Sequence, residues 1–219
     1  STRPGSERVP AEVQKQRVIP VIRAVRERVG DSVAISIDTT LADVAAAAIN
    51  AGAVIVNDVS AGRDDKAMLK LAAESRVKIV LMHMQGSPGT MQINPVYTDV
   101  VDEVYGFLLE RAEAAIAVGI RKENIILDPG IGFGKTLEHN LEIIRDLGRF
   151  AGCGYPVLLG ASRKRFLKTI CNNEDFSDLV AATCAVTTLG VLSGIGIFRV
   201  HDVKENRQAA DVIYRVMQV

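Results

Sequence analysis

Short apolar runs alternate along the chain with longer stretches in which hydrophobic residues recur at helical spacing. The runs consist mainly of Val, Ile and Leu, and each stops abruptly at polar residues. Strands that alternate with helices indicate a parallel sheet, and nearly continuous apolar strands indicate a sheet buried on both faces. The pattern predicts six strands, at Ala34–Asp38, Val54–Asp58, Ile79–His83, Ile125–Asp128, Val157–Ser162 and Gly196–His201.

The stretches around these strands predict seven helices and one long loop. Gln85–Thr98 contains two prolines and two glycines, which is typical of an irregular and mobile segment. The last helix carries apolar residues at helical spacing, at Ala209, Val212, Ile213 and Val216. The helices are expected at Val9–Arg28, Leu41–Asn50, Lys66–Ser75, Asp99–Val118, Thr136–Phe150, Ser177–Leu192 and Asp202–Val219.

The length of 219 residues predicts a single domain, residues 1–219, large enough for a substantial core. Twenty-six basic residues balance twenty-six acidic ones, so net charge gives no sign of nucleic acid or an anionic membrane as a partner. The sequence has no run of eighteen apolar residues and no signal-peptide pattern. Cys153, Cys171 and Cys184 form no close pair, and we expect reduced core thiols in a cytoplasmic protein.

Six β-α units fit either an open doubly wound sheet or most of an eight-stranded barrel. A (β/α)8 barrel of the TIM type typically has ~250 residues, and two further strands and a helix before Ser1 would reach that size. Such barrels often bind phosphate after their last two strands. Here those strands are followed by Arg163, Lys164, Arg199 and His201. We therefore favour the barrel, with about six of its eight strands represented in this chain.

Three strands deliver a carboxylate or an amide to the same predicted edge of the sheet. They are Asp38, Asn57 and Asp128. Carboxylates accept pairs of N–H groups, so Asp38 and Asp128 suit a heterocycle rich in amino and ring N–H donors, while Asn57 suits a mixed edge. Lys164 adds a donor for a carbonyl or ring nitrogen. Taken singly, Asp38 also fits a helix cap, and Asn57-Asp58 and Asp128-Pro129-Gly130 fit turns.

A glycine-rich segment follows the fourth strand, and it invites comparison with a phosphate-binding loop. Its sequence is Gly130-Ile-Gly-Phe-Gly-Lys-Thr136, whereas the phosphate loop requires glycine where this chain has Pro129. We interpret the segment as a glycine-rich rim that exposes Phe133 as a stacking surface.

The histidines differ in what they indicate. His83 fits a packing residue of the rim and His139 a solvated residue of a helix, and neither belongs to a cluster with the spacing of a zinc site. His201 and Arg199 are two positions apart on a strand and face the same side, which suits a diphosphate. Thr2 and Arg3, in the leading segment, could contribute as well, although a surface ion pair also explains Arg3.

The strand endings together resemble dihydropteroate synthases, the pterin-binding enzymes of folate biosynthesis, and they occur in the family's order. The matching stretches are Ser1–Gly5, Ser36–Thr39, Asn57-Asp58, Leu81–Gly86, Leu127–Lys135, Ser162–Lys164 and Arg199–Val203. The resemblance implies a (β/α)8 barrel, a homodimer and magnesium. It also implies condensation of (7,8-dihydropterin-6-yl)methyl diphosphate with 4-aminobenzoate, with release of diphosphate.

The resemblance also assigns roles to residues. Lys164, Arg199 and His201 resemble the family's catalytic cations. The pterin-holding groups correspond to Asp38, Asn57, Asp128 and Lys164. The diphosphate ligands correspond to Arg199, Val200, His201 and Thr2, and the surroundings of the aminobenzoate correspond to Arg3, Pro4, Phe133 and Ser162. The family's first two strands and its metal-contacting asparagine precede the stretch that matches Ser1, so we expect the magnesium ligand upstream of Ser1 and no metal ligand within this chain.

Two other functions fit parts of the pattern. A corrinoid-dependent methyltransferase shares the barrel and the acidic pterin contacts, but a methyl-folate has no diphosphate that would require the cations after the last two strands. A non-catalytic pterin-binding paralogue would have no need of the intact set of cations.

Overall fold

A computed structural model describes residues 8–219, in which short strands alternate with helices. The strands are β1 (Ser36–Asp38), β2 (Ile55–Asp58), β3 (Lys78–Met82), β4 (Ile125–Asp128), β5 (Leu158–Leu159) and β6 (Ile197–Phe198). The helices are α1 (Ala11–Val29), α2 (Ala42–Asn50), α3 (Met68–Ser75), α4 (Val100–Ala117), α5 (Leu137–Arg145), α6 (Leu147–Ala151), α7 (Arg165–Cys171), α8 (Val180–Leu192) and α9 (Val203–Val216). Short 3-10 turns lie at Gly30–Ser32, Lys122–Asn124 and Phe176–Asp178.

The strands are parallel and follow one another in chain order. β1 to β4 form one ladder and β5 pairs with β6, while a bridge between Leu127 and Val157 joins the two groups. A doubly wound sheet would reverse its strand order at a switch point. This order shows no reversal between β1 and β6, which is the arrangement of a barrel.

One face of the strands carries a compact apolar layer. Val80, Ile126 and Leu158 are buried together, with Ile55 and Ile197 packed against them. Because side chains alternate between the two faces of a strand, the residues two positions further along point to the same side. Asn57, Asp128 and Arg199 stand at those positions. The apolar layer is therefore the floor of the region in which the predicted site lies.

The opposite face of the strands packs against the helices. Val56, Ile79, Leu81, Ile125 and Leu127 are at most 1% exposed and belong to the main core. Each helix contributes the apolar positions of one face to this core, for example Val104, Leu108 and Ala112 of α4. This layer of helices around parallel strands gives β2, β3 and β4 the burial on both faces that their sequences predict.

The predicted helix Thr136–Phe150 is two helices. α5 ends at Arg145, and Asp146 has φ −101° and ψ 22°, so the chain bends before α6. The bend allows Leu147 and Phe150 to be buried in the core. The sequence prediction also missed α7, a short helix that buries Phe166 and Leu167. It follows directly after Lys164, so it helps to fix that lysine.

The prediction of core thiols was wrong. Cys171 is exposed, and Cys153 and Cys184 are half-buried, so the three free thiols are not core residues. On α9, Val212 and Val216 are each 63% exposed. Among residues 8–219, no helix is long and apolar enough to cross a membrane.

Candidate functional site

The carboxyl ends of β1 and β2 bring Asp38 and Asn57 together. These two residues are partners in the strand register, and the Asn57 Nδ2 donates to Asp38 Oδ1 at 2.7 Å. Asn57 is buried, yet its Oδ1 has no hydrogen-bond partner among residues 8–219. An unpaired buried acceptor costs roughly 1–3 kcal/mol, so a site that keeps one is prepared for a donor on a ligand.

Asp128, at the end of β4, combines a turn with a free carboxylate oxygen. Its Oδ1 accepts from the Gly130 backbone N–H at 2.7 Å, which fits the turn interpretation. The other oxygen, Oδ2, remains available to a ligand. Burial raises the pKa of Asp128, while the ammonium of Lys164 and the Gly130 N–H oppose that rise. A buried carboxylate facing a lysine is suited to bind a ligand that offers N–H donors.

The segment Gly130–Gly134, hereafter the glycine loop, lies directly against the chain that follows β3. Gly130, Gly132 and Gly134 all have positive φ. A Cβ on Gly130 would overlap the carbonyl oxygen of His83, and one on Gly134 would lie 2.6 Å from the Gln85 oxygen. The glycines are therefore required by close packing and by backbone conformation, rather than by contact with a phosphate.

Lys164 reaches across the glycine loop. Its Nζ donates to the Ile131 carbonyl oxygen and lies 4.7 Å from the centre of the half-buried Phe133 ring. Burial lowers the pKa of Lys164, Asp128 opposes the shift and Arg199 adds to it, and together they give a pKa of about 8. Phe133 is thus a support for Lys164 in this structure, whereas the sequence predicted an exposed stacking surface.

Arg199, after β6, contacts Asp38 at the opposite end of the strand series. The Nη2 of Arg199 lies 2.5 Å from Asp38 Oδ2, and the two side chains are 60% and 41% exposed. The two residues had been assigned to different ligands, the pterin and the diphosphate. The pairing shows that the predicted pterin and diphosphate groups are direct neighbours, so a single molecule can contact both.

His201 is tied to Ser162 of the preceding strand ending. The Ser162 hydroxyl accepts from the His201 backbone N–H at 3.2 Å and lies 2.9 Å from His201 Nδ1. A hydroxyl that accepts from the backbone can donate to Nδ1, which leaves Nε2 of His201 to face a ligand. Ser162 is buried and Val200 is half-buried, so Ser162 orients His201 in this structure.

Arg163 is not available to an anion, contrary to the count of four cations after the last two strands. Its Nε and Nη2 bind the two oxygens of Asp202, at 3.1 and 2.5 Å. This bidentate pair raises the pKa of Arg163 and lowers that of Asp202. Because Arg163 precedes Lys164 and Asp202 follows His201, the pair ties together the two segments that carry those cations.

The sequence analysis noted that Asn57-Asp58 also fits a turn, and Asp58 has this role in the structure. It is fully buried, and it accepts from Ser60 N, Ser60 Oγ and Gly62 N at 2.7 to 2.8 Å. Burial raises the pKa of Asp58, and these bonds oppose the rise. All of its contacts are internal, so it shapes the segment after β2 and leaves ligand binding to Asn57.

Sequence reasoning missed a buried pair that includes Lys135. Its Nζ lies 2.9 Å from Nδ1 of His83, and both side chains are buried. In the sequence, this lysine was considered only within the glycine-rich segment, whose spacing does not fit a phosphate loop. His139 is also not simply solvated, because its Nδ1 accepts from the Thr136 N–H in a capping box at the start of α5.

A cleft of about 700 Å³ opens beside Asp38, between the segments that follow β1, β2 and β3. Its walls include Asp38, Ser60, Arg63 and Met84. Pockets for small organic ligands commonly measure roughly 300–1,000 Å³, so a substrate of that size fits. The predicted contributions of Thr2, Arg3 and Pro4 lie outside the described residues.

Carboxylate and amide side chains, a glycine loop and a group of cations lie at the carboxyl ends of the parallel strands, and comparison with known families identifies the class of protein. The family described as pterin binding enzyme matches residues 1–201. The chain belongs to this family.

The most similar relatives identify the branch of the family. A dihydropteroate synthase of Synechocystis is 40% identical over 98% of this chain and 75% of its own length. Solved dihydropteroate synthases include that of Yersinia pestis, in complex with a sulfonamide drug, with a TM-score of 0.95, 34% identity and coverage of 100% of this chain and 78% of the other. The enzyme of Xanthomonas albilineans with 4-aminobenzoic acid gives a TM-score of 0.93 and 41% identity, over 100% and 77% of the two chains. The prediction of a TIM-type barrel is confirmed.

Proposed function

We propose that this chain catalyses the dihydropteroate synthase reaction, condensing (7,8-dihydropterin-6-yl)methyl diphosphate with 4-aminobenzoate to give 7,8-dihydropteroate and diphosphate. The observation that carries the proposal is the unpaired buried Oδ1 of Asn57, on the same face of the strands as Asp38 and Asp128. A ligand that presents several N–H donors on one edge satisfies all three side chains. A pterin has amino and ring N–H groups arranged in this way.

The cations beside this pocket suit the diphosphate of the same substrate. Arg199, His201 and Lys164 are our candidates for its ligands. The Arg199–Asp38 ion pair is exposed and is therefore worth no more than about 1 kcal/mol. A substrate can replace it at little cost, since its diphosphate would take the guanidinium and its pterin would donate to Asp38.

The bond that breaks in the proposed reaction lies between the pterin-binding side chains and the cations that bind the diphosphate. The carbon–oxygen bond of the pterin methylene breaks, and its electron pair leaves with the diphosphate. The positive charges of Lys164 and Arg199, together with the Nε2–H of His201, would stabilise that leaving group. The nitrogen of the arylamine then attacks the delocalised pterin cation, forms the new carbon–nitrogen bond and loses a proton.

For 4-aminobenzoate we propose the surroundings of Phe133 and Ser162, to which the leading residues Arg3 and Pro4 would add. The support is the position of Phe133 beside Lys164, together with the bond between Ser162 and His201. An arylamine in this position would lie next to both the pterin edge and the departing diphosphate. The Xanthomonas albilineans relative, solved with 4-aminobenzoic acid, supports the substrate class.

Magnesium, a homodimer and a cytoplasmic location remain finer proposals. Within residues 8–219 no group of three or more His, Cys, Asp or Glu side chains is placed to hold a metal ion. No step described here depends on the metal. For the dimer, the support is an apolar surface on α8 and α9, where Leu192, Val212 and Tyr214 are 51 to 63% exposed.

Incubation with labelled substrates distinguishes this function from its two alternatives. The proposal expects label from 4-aminobenzoate to enter dihydropteroate. A corrinoid-dependent methyltransferase would instead transfer the methyl group of a methyl-folate to a corrinoid and leave aminobenzoate unchanged. A non-catalytic paralogue would bind the pterin diphosphate and turn over neither substrate, which would contradict the proposal.

Replacing Asn57 with leucine tests the acceptor that carries the proposal. We expect pterin affinity to fall roughly tenfold, since one buried hydrogen bond to the ligand is lost. Stability should change little, because removal of an unpaired acceptor offsets loss of the bond to Asp38. Calorimetric titration with a 6-hydroxymethyl pterin and urea unfolding measure the two effects. Asn124→Leu, a buried asparagine just before β4 at the other end of the strands, is the control, and equal pterin affinity in Asn57→Leu and the parent would remove Asn57 from the site.

The pH dependence of kcat/KM tests Lys164. With a pKa of about 8, the ammonium is present below that pH and lost above it, so kcat/KM should fall on the basic side near pH 8. Lys164→Arg keeps a positive charge at higher pH because a guanidinium has a pKa above ~12. In this variant we therefore expect kcat/KM to fall at a higher pH than in the parent, and its maximal value to be lower. An identical basic limb in both proteins would show that another group is responsible.

A further inference from the structure

Lys135 is a charged side chain that the proposed reaction does not use, and yet it is only 3% exposed. Its Nζ lies 3.0 Å from the carbonyl oxygens of both Gly130 and Phe133, and 2.9 Å from Nδ1 of His83. An ammonium has three N–H donors, and these three acceptors use all of them. Lys135 therefore joins both ends of the glycine loop to the residue that follows β3.

The partner histidine is arranged to accept. His83 is buried against Phe107, with ring centres 4.9 Å apart. Burial, together with the charges of Lys135 and Arg63, lowers the pKa of His83 to about 2. The imidazole is therefore neutral, and with Nδ1 accepting from Lys135 its proton is on Nε2. The pair thus consists of a fixed donor and a fixed acceptor.

Stability alone does not explain a lysine in this place. Burial lowers the pKa of Lys135 well below its ordinary value, and the Asp128 carboxylate opposes that shift. Burying an ammonium carries a large desolvation cost, and apolar replacements of buried charges are often neutral or stabilising. An ionisable side chain that is kept at a buried position despite such a cost points to a role in the neighbouring site.

The contacts of the glycine loop show which role this is. The peptide of Gly130 donates to Asp128 through its N–H and accepts from Lys135 through its carbonyl. The ring of Phe133 lies beneath the Lys164 ammonium, and the Phe133 carbonyl also accepts from Lys135. Lys135 thus holds the loop at the two points that position Asp128 and Lys164.

We propose that Lys135, anchored by His83, is a positioning residue of the pterin site, which fixes the glycine loop so that Asp128 and Lys164 face the ligand. The inference rests on the proposed function, because it assumes that the ligand is a pterin. It assigns Lys135 no contact with substrate, and its effect is exerted through Asp128 and Lys164.

The test compares Lys135→Met with Lys135→Arg and with the control Lys70→Met, a lysine on α3 that is 75% exposed. Affinities are measured by calorimetry for two probes, a 6-hydroxymethyl pterin and inorganic diphosphate. Lys135→Met should weaken pterin binding roughly tenfold or more, because two site residues lose their support. Diphosphate affinity should fall by a smaller factor, no more than about threefold, since Lys164 is only one of its three candidate ligands and the other two, Arg199 and His201, are bonded to Asp38 and Ser162. Lys135→Arg should recover part of the pterin affinity, and Lys70→Met should bind both probes as the parent does.

Two results would overturn the positioning role. One is parental pterin affinity in a folded Lys135→Met variant, and the other is an equal loss for pterin and diphosphate, which would indicate general destabilisation. If Lys135→Met does not fold, His83→Asn and His83→Leu replace it. Asparagine keeps an acceptor for Lys135 and should bind pterin more tightly than leucine, so equal affinities of the two would reject the role. A parent protein that binds no pterin at all would reject the proposed function itself, and with it the role of Lys135.

Discussion

Gly130→Ala is expected to remove pterin binding and to lower the melting temperature by roughly 5–15 °C. The added methyl group would overlap the His83 carbonyl oxygen, and Gly130 has φ +68°. Left-handed backbone costs alanine about 1–2 kcal/mol and overpacking typically 1–3 kcal/mol. For a protein of this size each kcal/mol corresponds to ~2–4 °C. Any shift of the loop that relieves the overlap displaces the N–H that holds Asp128.

Gly119→Ala is the matched control for this substitution. Gly119 also has positive φ, at +98°, but a Cβ there would meet nothing within 4 Å. This variant therefore carries the conformational cost without the steric overlap. Gly119 follows α4, away from the carboxyl ends of the strands. Melting curves and pterin titrations of both variants measure the difference. Parental pterin affinity in Gly130→Ala would contradict the close packing of the glycine loop against His83.

Asp128→Asn should lower kcat/KM roughly 100-fold with little effect on the fold. The asparagine Oδ1 can still accept from the Gly130 N–H, so the turn is retained. The substitution replaces the second carboxylate oxygen, Oδ2, with an amide NH2 group. The N–H donors of this group would face the N–H donors of the pterin, so no hydrogen bond can form between them. Loss of a hydrogen bond to a charged group costs roughly 1.5–3 kcal/mol, which is up to ~150-fold in rate or affinity.

The same change at Asp58 separates a ligand role from a structural one. Asp58 is also buried and follows directly after Asn57, but its contacts are all internal. Asp58→Asn should lower the free energy of unfolding and leave kcat/KM of the folded protein close to the parent value. If Asp128→Asn instead turns over at the parent rate, Asp128 is only a turn residue and the proposed pterin site is wrong.

The fold could be predicted well from the sequence because its signals are local. The six apolar runs became the six strands of the described region, and their polar ends became the site. Alternation along a strand also places Asn57, Asp128 and Arg199 on one face, two positions beyond Ile55, Ile126 and Ile197 of the apolar layer. What failed depends on tertiary packing, namely the bend at Asp146 and the exposure of the three thiols.

Within the site, residue types were predictable and their partners were not. Arg163 and Lys164 are adjacent cations in the sequence, yet Arg163 is bound by Asp202 and Lys164 lies over the glycine loop. Lys135 follows a glycine exactly as a phosphate-loop lysine would, and its role appears only when His83, 52 residues away in sequence, is seen beside it. Spacing along one strand cannot reveal contacts between strand ends.

The most direct test of the proposed function is the condensation itself, followed by mass spectrometry with purified protein, magnesium, pterin diphosphate and labelled 4-aminobenzoate. Dihydropteroate and diphosphate are expected to accumulate in equal amounts, and Asp128→Asn should form both roughly 100-fold more slowly at limiting substrate. Accumulation of diphosphate without labelled dihydropteroate, or no reaction in a protein that binds the pterin diphosphate, would contradict the account.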